Sequence, residues 1–114
     1  MAFFRRKTAK QQEQLPVAVV RGASGDLQLY EHMVRIQRKN QGKDILLSTI
    51  SSVHLSRPGF CAPGYLKLTF PGSQETRSLI DENTVTFKRS QQKAFDQFKA
   101  ELDRRVLAAR TASR

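Results

Sequence analysis

The sequence predicts an α+β fold, in which about seven short antiparallel strands form a partly open barrel or sandwich that one C-terminal amphipathic helix closes. Over residues 26–87, apolar and polar residues alternate in short runs separated by Gly, Pro and Asn turns, as in antiparallel sheets. From residue 91 the apolar spacing becomes helical. A chain of 114 residues has room for one domain of this kind.

The chain is expected to divide into three parts. Residues 1–14 are polar and basic and are predicted to be an arm, residues 15–109 the domain, and residues 110–114 a basic tail. At the start of the domain, the apolar stretch Leu15–Val20 is expected to be extended. Pro16 keeps this stretch from the centre of a sheet, because proline lacks the backbone N–H that a sheet requires.

Alternation and turn residues define the strands that follow. We expect strands at residues 26–30, 33–39, 44–47, 51–55, 65–70, 75–80 and 84–87. Turns are predicted at Glu31–His32, at Asn40–Gly42 and at Pro71–Ser73. A longer loop is predicted at Arg57–Gly64, because it holds two prolines and two glycines in eight residues.

A helix is predicted from Gln91 to about Ala109, where the sequence has no Gly or Pro. Its apolar stripe has helical spacings of three, four and four residues and consists of Phe95, Phe98, Leu102 and Val106. Ser90 is expected to be the N-cap, since a serine hydroxyl can accept a hydrogen bond from the first helical N–H groups. The helix must bury its stripe, and the open end or face of the sheet is the nearest surface.

Four strings, in this order, resemble the motifs of one bacterial pleckstrin-homology-like (PH-like) family. They are Gly22–Leu27, which reads Gly-x-x-Gly-x-Leu, then Lys43–Val53, Pro63–Phe70, and Asp81–Phe87 followed by Ala94–Phe95. The family is the domain of unknown function numbered 4429, and the resemblance covers about residues 18–107. It implies a PH-like fold of strands closed by one helix. It implies no established chemistry, so no functional residue is carried over.

The formal net charge of +10 lies mainly at the two ends of the chain. Residues 1–12 and 104–114 each hold four basic residues and no acidic ones, whereas residues 13–103 hold 12 basic and 10 acidic. Such ends attract nucleic acid phosphates or anionic lipids without sequence or headgroup preference. The alternative is that they only keep the protein soluble. The candidate anion-binding residues at the ends are Arg5, Arg6, Lys7, Lys10, Arg104, Arg105 and Arg110.

Four further candidate anion-binding cations surround the predicted turn at residues 40–42, namely Arg35, Arg38, Lys39 and Lys43. PH domains that bind phosphoinositides cluster cations near such a hairpin, so the resemblance makes binding of an anionic headgroup conceivable. Asp44 offsets part of this charge. The alternative is an ordinary solvated face.

The predicted loop Arg57–Gly64 carries the candidate partner-binding residues Phe60 and Cys61, and Tyr65 follows it directly. A Phe60 side chain exposed at a loop tip would suit a protein partner or a membrane surface. The alternative is that Phe60 folds back and fills the core. An open strand edge could also pair with a peptide or with a second copy of the chain.

The sequence contains no motif that favours catalysis. One Cys and two His do not complete a four-ligand metal site, and neither Gly-x-Ser-x-Gly nor a phosphate-binding glycine loop is present. Cys61 is not expected to be a nucleophile, because the spacing assigns it no base that would form the thiolate. His32 at a turn and His54 on the outer phase of its strand are expected to be solvated.

The sequence therefore predicts a non-catalytic PH-like binding or scaffold module, without cofactor or small-molecule substrate, whose partner is another protein or a second copy. The alternative is an anion-directed binder of nucleic acid or acidic lipid that acts through the basic ends. The longest apolar run has six residues, against about 18 for a membrane-spanning helix. The N-terminus lacks the apolar core of a secretory signal. With a single cysteine, these features predict a cytoplasmic protein.

Overall fold

The computed structural model describes residues 15–39, 41–72 and 83–112, and it confirms an α+β fold with two antiparallel sheets and one C-terminal helix. The first sheet has the order β1-β2-β3-β4, with bounds Ala18–Arg21, Asp26–Leu29, Met33–Arg38 and Gln41–Leu46. The second sheet has the order β5-β6-β7, with bounds Ser52–Ser56, Gly64–Thr69 and Thr84–Phe87. The helix, α1, is Gln92–Ala112.

In the first sheet, apolar and polar side chains alternate along β2 and β3, and the apolar face of each strand is buried, as the sequence predicts. The buried side chains of β2 and β3 are Leu27, Leu29, Val34 and Ile36. The stretch predicted only to be extended forms strand β1, which pairs with β2 at the edge of the sheet. Strand β4 begins at Gln41, three residues earlier than predicted, because the pairing with β3 extends as far as Gln41, which lies opposite Arg38.

The second sheet accounts for two of the remaining predicted strands almost as expected, at residues 52–56 and 64–69. Strand β7 at residues 84–87 matches its prediction. The strand predicted at residues 75–80 and the arm predicted at residues 1–14 lie outside the described residues. Leu66, Leu68 and Phe87 direct their side chains into the core that the two sheets and the helix share.

Contacts between the β1–β2 turn and β7 join the two sheets. The Ala23 N–H donates to the Thr86 carbonyl at 2.7 Å, and the Thr86 N–H donates to the Ser24 hydroxyl at 2.9 Å. A Cβ at Gly22 would lie 2.6 Å from the Thr86 carbonyl oxygen, so the close approach requires glycine. The Gly-x-x-Gly segment therefore connects the first sheet to the second through hydrogen bonds and close packing.

Helix α1 packs on β1, on β5 and on the 3₁₀ turn Leu47–Thr49 that precedes β5. The predicted stripe is confirmed as the buried face, and consists of Phe95, Phe98, Leu102 and Val106. The Phe95 ring stacks on that of Phe87 with centroids 4.2 Å apart. The helix therefore covers a core that it shares with both sheets.

Both ends of the helix differ from the prediction. It starts at Gln92, after a 3₁₀ turn over Arg89–Gln91, so Ser90 lies within that turn and is not the N-cap. The N-cap of this turn is Lys88, whose N–H donates to the Gln91 side-chain oxygen at 2.8 Å, as in one half of a capping box. The helix continues to Ala112, which includes the first three residues of the predicted tail.

Candidate binding surfaces

The Arg35 side chain of β3 contacts groups of its own sheet. Its Nε donates to Asp44 Oδ1 at 2.6 Å and its Nη2 donates to Asp44 Oδ2 at 3.2 Å. The guanidinium also lies 5.6 Å from the centre of the Tyr30 ring. The hydrogen-bonded Asp44 carboxylate raises the pKa of Arg35, because it stabilises the charged guanidinium. The two residues face each other in the β3–β4 register, so this is a cross-strand ion pair.

Two other cations of the hairpin reach across to the start of β7. The Arg38 Nη2 donates to the Thr84 carbonyl at 2.5 Å, and the Lys43 Nζ donates to Asn83 Oδ1 at 2.8 Å. Lys43 also lies 5.2 Å from the centre of the Phe70 ring. Lys39, at the turn, is exposed. Three of the four hairpin cations predicted to bind anions therefore contact the protein's own groups.

The arginines of α1 follow the same pattern. Arg104 and Arg105 both donate to the Glu101 carboxylate, at 2.5–2.6 Å and 2.8 Å. These hydrogen bonds, first from Arg104 and then from Arg105, lower the pKa of Glu101. Arg110 donates to the Ile50 carbonyl, which ties the end of the helix to the segment before β5. The predicted anion-binding residues Arg5, Arg6, Lys7 and Lys10 lie outside the described residues.

The β5–β6 loop holds Phe60 completely exposed, with a relative exposure of 100%. The structure therefore excludes the alternative in which Phe60 folds back into the core. Cys61, beside it, is an exposed free thiol. Two hydrogen bonds hold Gly59, next to Phe60: its N–H donates to the Ala62 carbonyl at 2.9 Å, and its carbonyl accepts from Arg89 Nη2 at 3.3 Å.

Tyr65 does not extend the exposed tip of this loop. It is half-buried on β6, and its ring lies 5.7 Å from the ring of the exposed His54 on the neighbouring strand. Cross-strand pairs of this kind stabilise a sheet face. The structure thus separates the three predicted partner-binding residues into an exposed tip, Phe60 with Cys61, and a sheet face that carries Tyr65.

An apolar groove that the sequence analysis did not identify lies beside the β2–β3 turn. It has a volume of about 290 Å³, and its exposed walls include Leu15, Val17 and Leu46, with exposures of 73%, 48% and 57%. Tyr30, Glu31, His32 and Met33 complete the lining. We call this feature the β2–β3 groove.

A signal for the groove was present in the sequence. Ile45, Leu46 and Leu47 are consecutive, and a strand can direct only alternate side chains into one core. Ile45 and Leu47 are buried, so Leu46 between them must face outward. The apolar run before and within β1 has the same property, because Val20 is buried whereas Val19 is half exposed.

The other expected sites can be placed as well. His32 and His54 are exposed, as predicted. Within the described ranges, no group of three or more His, Cys, Asp or Glu side chains could hold a metal ion. No helix in the same part of the chain is long and apolar enough to span a bilayer.

Comparison with known proteins found no matching family model, no matching curated protein and no matching solved structure.

Proposed function

We propose that this chain is a non-catalytic PH-like binding or scaffold module, and that its β2–β3 groove binds a protein partner. The observation that carries the proposal is the cluster of three large apolar side chains, each between 48% and 73% exposed, around one concave surface. Clustered apolar exposure of this kind is typical of interaction sites, since water contact with it is unfavourable.

The walls of the groove are held by backbone hydrogen bonds. The Val17 N–H donates to the Leu29 carbonyl at 2.7 Å, and the Leu47 N–H donates to the His32 carbonyl at 2.9 Å. Met33 lies directly opposite Leu46 in the β3–β4 register. A partner would therefore meet a groove that is already formed, which lowers the entropy lost on binding.

The rim of the groove is polar. Glu31 and His32 lie at the turn with side chains about four-fifths exposed, and His32 Nε2 lies 3.8 Å from Glu31 Oε1. An apolar centre with a polar rim is the usual organisation of a protein interface. A stable interface buries about 800 Å² on each partner, so the partner must extend beyond the groove onto the neighbouring strands.

The test compares the full-length protein with the variants Leu46→Asp and Val17→Asp. Each protein is immobilised to capture partners from its source cell, and its own oligomeric state is measured by light scattering. We expect the unmodified protein to hold a discrete partner, or a second copy, at ~200 mM salt. We expect both variants to bind at least about tenfold more weakly, because a desolvated unpaired carboxylate opposes association.

Leu107→Asp is the matched control, since Leu107 is 67% exposed on α1 and does not line the groove. Retention of the partner by the two groove variants would contradict the proposal. Absence of both salt-resistant capture and self-association would also count against it. Binding that is lost at ~200 mM salt and on removal of residues 1–12 would instead favour the anion-directed alternative through the basic ends.

A further inference from the structure

The tip of the β5–β6 loop is a protruding apolar surface distinct from the groove. Phe60 is fully exposed, and its neighbours Gly59, Cys61, Ala62 and Pro63 are also exposed. None of these residues carries a charged side chain. A large aromatic side chain held entirely in water has an unfavourable hydration free energy that burial would recover.

The base of this loop is packed tightly. A Cβ at Gly64 would lie 2.6 Å from the ring of Phe87 and 2.9 Å from Pro58, so the chain that leaves the loop lies directly on the core. Arg89 holds the Gly59 carbonyl from the other side. Phe60 is therefore presented outward by a fixed base.

Three cations lie at or next to that base. Gly64 pairs with Phe87, which places Lys88 beside the loop, and Arg89 follows it. Arg57 begins the loop with a side chain that is 71% exposed, and lies 4.0 Å from Asp96 on the first turns of α1. Three cations and one carboxylate thus lie at or next to the base, and we call Arg57, Lys88 and Arg89 the loop collar.

We infer that the β5–β6 loop docks on an anionic lipid bilayer, with Phe60 inserted at the interface and the loop collar against the lipid headgroups. Charge complementarity favours this occupant, because each cation near an anionic bilayer surface contributes to binding and the collar carries an excess of them. The single aromatic side chain inserts where apolar and charged groups meet. A nucleic acid would need several aromatic faces for base stacking, and the loop tip offers one.

The absence of tryptophan from the chain allows a specific readout. The variant Phe60→Trp places a single tryptophan at the tip of the full-length protein. The probes are vesicles of phosphatidylcholine with ~30% phosphatidylserine, and vesicles of phosphatidylcholine alone. With the anionic vesicles, we expect the tryptophan emission to shift to shorter wavelength and to be quenched by lipids brominated on their acyl chains.

Two variants then separate the roles of tip and collar in vesicle co-sedimentation. Phe60→Ser is expected to lower the partition coefficient at least about tenfold, because it removes the inserted ring. Lys88→Glu is expected to lower it about fivefold or more. Leu107→Ser and Lys39→Glu are the matched controls, since both residues are exposed elsewhere, and each should change binding less than about twofold. All four positions are exposed, so the variants should remain folded.

Three results would overturn the inference. The first is no binding to the anionic vesicles. The second is binding with no change in the emission of the Phe60→Trp variant and with full affinity in the Phe60→Ser variant, which would assign vesicle binding to the basic ends. The third is tighter binding to duplex DNA or RNA than to vesicles with the loop variants equally affected, which would identify nucleic acid as the occupant. None of these results bears on the β2–β3 groove, so the two proposals fail separately.

Discussion

The ammonium group of Lys43 on β4 donates a 2.8 Å hydrogen bond to the side-chain oxygen of Asn83. Asn83 as a whole residue is only 5% exposed. Forty residues separate the two in the chain. The hydrogen bond joins the edge of the first sheet to the residue before β7 in the second. A lysine that the sequence assigns to an anion-binding hairpin thus satisfies a buried amide.

Removal of this hydrogen bond should destabilise the fold. We expect Lys43→Met to lower the free energy of unfolding by about 1–3 kcal/mol, because the Asn83 oxygen would be left buried without its charged donor. The contact between Lys43 and the Phe70 ring would be lost as well. Urea unfolding measures the change. Lys39→Met, an exposed site in the same hairpin, should change stability by less than about 0.5 kcal/mol. Equal effects of the two variants would contradict this role of Lys43.

Gly59 in the β5–β6 loop and Gly64 at the start of β6 should differ in their response to alanine. Gly64→Ala should destabilise by about 1–3 kcal/mol, because its Cβ would lie 2.6 Å from the buried Phe87 ring. Gly59→Ala meets nothing within 4 Å and should be neutral or slightly stabilising. Thermal unfolding of both variants, followed by circular dichroism, tests the pair. A stable Gly64→Ala protein would mean that the loop base is loosely packed.

The stacked Phe87–Phe95 pair should anchor α1 to the second sheet. Phe95 is fully buried, so Phe95→Ala should cost about 3–5 kcal/mol, a large part of the stability of a small domain. Phe95→Leu keeps most of the apolar volume and should cost distinctly less. Leu107→Ala, on the exposed side of the same helix, should have little effect. Chemical denaturation would show whether the three variants follow this order.

The ion cluster around Glu101 should make helix stability depend on pH. Arg104 and Arg105 lower the folded-state pKa of Glu101 below its unfolded value. The cluster therefore stabilises the protein above the unfolded pKa, and this contribution is lost as the pH falls through the folded pKa. Glu101→Gln should be less stable than the unmodified protein at pH ~7 and equally stable at pH ~2, where glutamate is normally protonated. A difference that persists in acid would point to packing instead.

The strands and the helical stripe could be predicted from the sequence because both depend on local periodicity. Leu27 and Leu29 alternate with polar residues, and Phe95 to Val106 follow a helical spacing, so each buried face was evident before its partner was known. Element boundaries depend on more than this periodicity. Ser90 was wrong as the N-cap because it lies inside an additional 3₁₀ turn, Arg89–Gln91, whose N-cap is Lys88. Strand β1 was expected only to be extended, since its pairing with β2 depends on distant residues.

Local patterns in the chain are sufficient to predict the α+β class, the apolar face of the strands and of the helix, and the position of the loop at residues 57–64. The partner of each charged side chain and the exposure of a loop residue such as Phe60 follow only from long-range contacts. Arg38 and Lys43 look equivalent to Lys39 in the sequence, yet the first two reach β7 and its preceding residue, whereas Lys39 remains at the turn. Likewise, the sequence leaves open whether Phe60 is exposed or fills the core, and in the structure its side chain is 100% exposed. The physical reason is that periodicity determines which side of an element is apolar, whereas folding determines what lies opposite that side.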